Sequence, residues 1–185
     1  MLLKLLALAV ASGPGVFVCG ELSFSAAGTM QLPGLPDQPV RLHVACLAGS
    51  DPFQIELIVP GAGERNDFDY ADFEEPDARA AGVALSNVTW TTASSSVSLG
   101  AAATGSYDPS AAFVFHLKTE EWTSVLSALD TEPGTLVWTQ SAFDDLNRRL
   151  VATFNLEAGA ATDLRNSVEL CLQMPVATPW HPPMR

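Results

Sequence analysis

The chain has 185 residues, with 21 Asp and Glu against 9 Lys and Arg, a net charge of −12 at pH 7. A surface this acidic repels phosphate backbones and anionic lipid, which argues against nucleic-acid binding and against adsorption to a membrane. With 48% hydrophobic residues the chain can build a core, which excludes wholesale disorder, and its length fits one domain.

Met1 to Val18 is apolar apart from Lys4, Ser12 and the break Gly13-Pro14-Gly15. One early Lys, a Leu/Ala run and a small-residue end have the form of a secretory signal peptide over residues 1–20, cut after Gly20. The run is broken and shorter than the roughly 20 apolar residues of a membrane span, so no stable span is expected after cleavage. A cut at the Ala9/Ala11 pair would leave a very short leader, and Val16-Phe17-Val18 lacks the small residues that precede a lipidated Cys19. The competing reading is a buried first strand. Cleavage removes Cys19 and leaves Cys46 and Cys171, an even count suited to an oxidising compartment. Periplasmic or secreted is therefore the expected location. A Cys46–Cys171 bridge would close a loop of about 125 residues and stabilise the fold by about 2–5 kcal/mol. Two separate buried thiols are the alternative.

From Glu21 to residue 174 the pattern is that of one domain. LSFSAAGTMQL alternates loosely, and PGLPDQP reads as a Pro/Gly loop. Arg41 to Cys46 alternates cleanly, with Leu42, Val44 and Cys46 on one face and His43 on the other. After the turn GSDP, Phe53 to Val59 alternates again, predicting an antiparallel hairpin. Val83–Thr92, Ser94–Gly100 and Ala111–Lys118 are further strand candidates. Thr119 can cap a short helix whose stripe is Trp122, Val125, Leu126 and Leu129, stopped by Pro133-Gly134. Leu136 to Leu172 then reads as strand, turn, strand and helix. The turn SAFDDLN is built on Asp144, Asp145 and Asn147. Leu150, Ala152, Phe154 and Leu156 share one strand face, and Ala160, Leu164, Val168 and Cys171 form one helical stripe. The tail 175–185 is Pro-rich. The expected fold is α+β: an antiparallel β-rich sheet or sandwich with two short helices, each following a late strand.

Binding chemistry has few candidates. NDFDYADFEEPD carries Asp67, Asp69, Asp72, Glu74, Glu75 and Asp77, oxygen ligands that could take Ca²⁺ or a basic partner. Ala71 stands where an EF-hand needs a ligand and no Gly makes its turn, so the other reading is a solvated loop whose Phe68, Tyr70 and Phe73 cover a sheet edge. Trp90 and Trp138 sit among Thr, Ser and Gln, as aromatic platforms of carbohydrate-binding sheets do; core packing is the alternative. His43 and His116 both belong to outward strand positions, and with a carboxylate they could form a zinc site if the fold made them neighbours. No HExxH, GxSxG, P-loop or CxxC occurs, so no catalytic residue, cofactor or dedicated metal site is assigned.

The succession LHVAC, EWTSVLSAL, LVWTQ and LVATFNLEAGAATDLRNSVELC resembles small exported domains of the type VI secretion-associated VasI-like proteins, over Arg41 to Cys171. Phe154, Leu156, Gly159, Ala160, Leu164 and Cys171 carry that resemblance. The acidic loop Gly61–Arg79 and the Gly159 spacing depart from it. The resemblance implies an accessory or binding domain stabilised by a cysteine pair, without a cofactor. The resulting expectation is an exported, non-enzymatic domain that binds a protein partner in the cell envelope or outside the cell. A carbohydrate- or cation-binding module is the second reading, and a small hydrolase the third.

Overall fold

The computed structural model describes residues 22–46, 54–74, 85–100, 102–118 and 122–173. The proposed leader 1–20 and the Pro-rich tail lie outside the described residues. In chain order the elements are β1 (Leu22–Gln31), β2 (Gln38–Cys46), β3 (Gln54–Val59), β4 (Ser86–Thr92), β5 (Ser96–Gly100), β6 (Ala102–Tyr107), β7 (Phe113–Lys118), α1 (Trp122–Ala128), β8 (Gly134–Ser141), β9 (Arg149–Leu156) and α2 (Ala158–Gln173). Two 3-10 turns, Ala62–Glu64 and Tyr70–Phe73, follow β3. This is the expected α+β, β-rich fold, with one helix after β7 and the other after β9.

The nine described strands form one sheet in the order β5-β4-β8-β9-β1-β2-β3-β7-β6, with antiparallel neighbours throughout. β5 and β6 stand at opposite ends of that order, yet one residue separates them in the chain. Two peptide units reach less than about 8 Å. The sheet must therefore curl until its edges approach, which makes a half-barrel with a concave apolar side.

Alternation decides which side chains enter that side. Ile55, Leu57 and Val59 of β3, Leu136 and Trp138 of β8, and Leu150, Ala152 and Phe154 of β9 are all buried. α2 then closes the gap left where β1 and β9 diverge. Those strands pair only over Thr29–Gln31, whereas β1 pairs with β2 along nearly its whole length. α2 packs against β1, β2, β9 and α1, burying Ala161, Leu164, Val168 and Cys171. The sequence stripe was right for three of these, but Ala161 replaces Ala160, which is only partly buried. Ala161 N–H bonds to the Glu157 carbonyl at 2.9 Å, so the helix begins before Gly159 rather than after it. Gly28 marks the end of the β1–β9 contact: the Phe154 ring fills the space where a Cβ would stand.

The loop 61–74 packs against β6 and the aromatic residues of β7. Phe68, Tyr70 and Phe73 are buried and contact one another and the Phe113 and Phe115 rings. Glu74 makes a parallel bridge to Gly105 on β6. The aromatics of this acidic segment thus anchor it over the β6 edge, which would otherwise present unpaired backbone groups.

Candidate functional site

Three residues on the convex face form a sheltered polar group. Leu42 and Val44 point into the core, so His43 between them points out. Ile55 and Leu57 do the same for Glu56, and Phe115 and Leu117 for His116. Register places Glu56 directly across from His43 on β2 and from His116 on β7. The row continues to Ser25 on β1 and Thr104 on β6. Residues far apart in the chain thereby form one line across five strands.

His43 Nδ1 lies 2.8 Å from Glu56 Oε2 in a hydrogen bond. When that imidazole is neutral, Nδ1–H donates to the carboxylate and Nε2 is left as an acceptor. His116 Nδ1 lies 3.3 Å from the other oxygen, Oε1. That nitrogen is buried, yet the contact lacks hydrogen-bond alignment. The His43, Glu56 and His116 side chains are 21%, 15% and 24% exposed, so each is mostly sheltered from water. Burial alone would push the Glu56 carboxyl up; the close His116 and His43 imidazoles outweigh it and hold Glu56 below its usual range.

The sequence located both histidines on the outer face but missed Glu56. Its signal was present in the β3 alternation, but joining the three requires the non-local β3–β7 register. An acid beside each imidazole, with Ser25 across from His43, supplies partners for the hydrolase reading. None of these residues lines either described cleft, however.

The acidic segment does not gather its carboxylates. Asp67 faces Arg65 at 3.6 Å, while Asp69 pairs with Arg148 at 2.5 Å, which also holds Asp144 at 2.8 Å. Asp72 is engaged as well, and the Glu74 backbone, not its carboxylate, makes the bridge at the β6 edge. Glu75 and Asp77 lie outside the described residues. Beside this segment a shallow cleft of about 260 Å³ is bordered by Leu32, Asp67, Asp145, Asn147 and Arg148. A second, of about 360 Å³, lies where β4 and β9 end and β8 begins, and presents Thr91, Thr92, Thr135, Asn155 and Glu157.

Trp90 and Trp138 correct the platform reading. Both are 0% exposed and sit in the core, so neither offers a ring face to a sugar. Their inward direction follows from strand alternation, with Val88 and Trp90 on one side of β4 and Leu136 and Trp138 on one side of β8. Cys171 is fully buried and engaged. Cys46 ends β2, opposite Leu22 of β1, and α2 packs against both of these strands.

Among the described residues, no group of three or more His, Cys, Asp or Glu is placed to hold a metal ion. No helix there is long and apolar enough to cross a membrane. No protein-family model, curated protein or solved structure matches the chain.

Proposed function

We propose that the chain is an exported, non-enzymatic binding domain, stapled by a Cys46–Cys171 disulfide, whose protein partner presents a basic face. The observation that carries this reading is where four of the five described arginines are committed. Arg65 faces Asp67, Arg148 is held by Asp69 and Asp144, Arg149 donates to the Leu146 carbonyl, and Arg165 donates to carbonyls at the end of α1. These internal attachments leave the excess of Asp and Glu to set the field outside. The concave side agrees with a surface function, because helices, strands and the aromatic loop pack their apolar side chains into it. The staple is supported by α2 lying against β1 and β2 with Cys171 on its buried stripe.

The test is site-specific photo-crosslinking in the native host, with the reactive residue placed in turn at Arg41, Ile58 and Glu64, followed by binding kinetics on the captured protein. The expected result is one discrete crosslinked partner whose association slows steeply as salt rises. Crosslinks to no protein, or association indifferent to salt, would contradict the reading.

A further inference from the structure

We infer that the cleft where β4 and β9 end and β8 begins binds a neutral, hydroxyl-rich carbohydrate. The inference does not rest on export or on a basic protein partner. It begins from where charge is missing. The chain carries 21 Asp and Glu, yet β4, β5 and β8 contain no charged residue, and β9 has only Arg149, at its start. Beyond Arg149, the outward positions of these strands hold Ser, Thr, Asn and Val. Register draws four of them into one row: Ser96 opposite Thr91, Thr91 opposite Thr135, and Thr135 opposite Asn155. Trp90, Leu136 and Phe154 beside them are buried, so the row faces out.

The row runs into the cleft of about 360 Å³, which Thr91, Thr135 and Asn155 border together with Pro133, Leu156 and Glu157. The hydrogen bonds already made there leave the pattern a sugar needs. Thr135 Oγ1 donates to Asn155 Oδ1 at 3.0 Å. The Thr135 oxygen thus keeps lone pairs to accept, and Asn155 Nδ2 keeps protons to give. The Thr91 and Ser96 hydroxyls share one hydrogen bond of 3.0 Å, which occupies one of their two protons. Glu157 adds a carboxylate acceptor. Donors and acceptors stand side by side, as a diol requires, since each sugar hydroxyl both gives and takes a proton. Pro133 supplies apolar surface for the C–H side of a ring. An anion would meet no cationic group among the lining residues and would face the field of an acidic chain. A cation would find a single carboxylate. An apolar ligand would strip water from the hydroxyls and the amide without replacing their bonds. Trp90 takes no part: its ring lies beneath Gly134, filling the place of a Cβ.

The experiment is native affinity electrophoresis of the full chain in gels holding one polysaccharide each: an α-glucan, a β-glucan, a mannan, a galactan, or acidic polygalacturonate. The expected result is retardation by a neutral polymer, unchanged by added salt, and none by polygalacturonate. Asn155→Ala and Thr135→Ala should each weaken that binding about threefold to tenfold, the loss of a hydrogen bond to an uncharged partner. Asn166→Ala, exposed on α2, should leave it unchanged, and circular dichroism checks that each variant is folded. Retardation by none of the four neutral polymers, wild-type binding by both the Asn155 and Thr135 variants, or loss of binding in Asn166→Ala would overturn the inference. So would dimerisation of the wild type in sedimentation that Asn155→Arg abolishes, because the row would then belong to a second copy of the chain.

Discussion

Glu56 shows how one side chain takes its properties from its neighbours. Its partly buried carboxylate would be costly alone, but imidazoles on either side favour its charged form. Because its folded pKa lies below the ordinary 4.5, its stabilising contribution is complete above that value and is lost as pH falls through the folded pKa. Thermal midpoints measured across the acid range should therefore drop more steeply for the wild type than for Glu56→Gln. Equal acid limbs would remove the special role of this carboxylate. At the same scale the outward positions of His43 and His116 were legible, since each is flanked by apolar residues at a period of two. Their common partner was not legible, because cross-strand identity depends on register rather than on local pattern.

Among the elements, hairpins with strong alternation were the most readable: β2 with β3, and β8 with β9. β6 was missed because AATGSY has almost no apolar alternation. It is a strand because β7 offers it a partner along its whole length. The helices depend on each other at one point. Arg165 of α2 donates to the Leu126 carbonyl at 3.1 Å and also to the Leu129 carbonyl, satisfying groups that the end of short α1 would leave open. Replacing Arg165 by Met keeps much of the side-chain bulk and removes both bonds. We expect a loss of about 1–3 kcal/mol in urea unfolding, with α1 amides exchanging faster than those of β8. An unchanged midpoint would show that α1 is held by Val125 and Leu129 packing alone. The acidic segment carries a related lesson. Its charges suggested a cation loop, whereas Phe68, Tyr70 and Phe73 between them set its position as an edge cover.

For the whole molecule, the curl of the sheet organises the rest. It encloses Trp90 and Trp138, which composition alone could have placed on either face, and leaves polar chemistry on the outside. Curling was not visible in the sequence because it follows from bringing β5 and β6 together, which only the complete strand order reveals. α2 lies across the divergence of β1 and β9, so a covalent tie between its buried stripe and β2 would resist opening at the least paired part of the sheet.

The measurement that tests the exported, stapled domain most directly is intact mass of the protein from its native host, alkylated with and without prior reduction. The account predicts a chain beginning at Glu21 whose two cysteines accept alkylating groups only after reduction. A chain retaining Met1, with three thiols alkylated without reduction, would contradict both export and the Cys46–Cys171 staple.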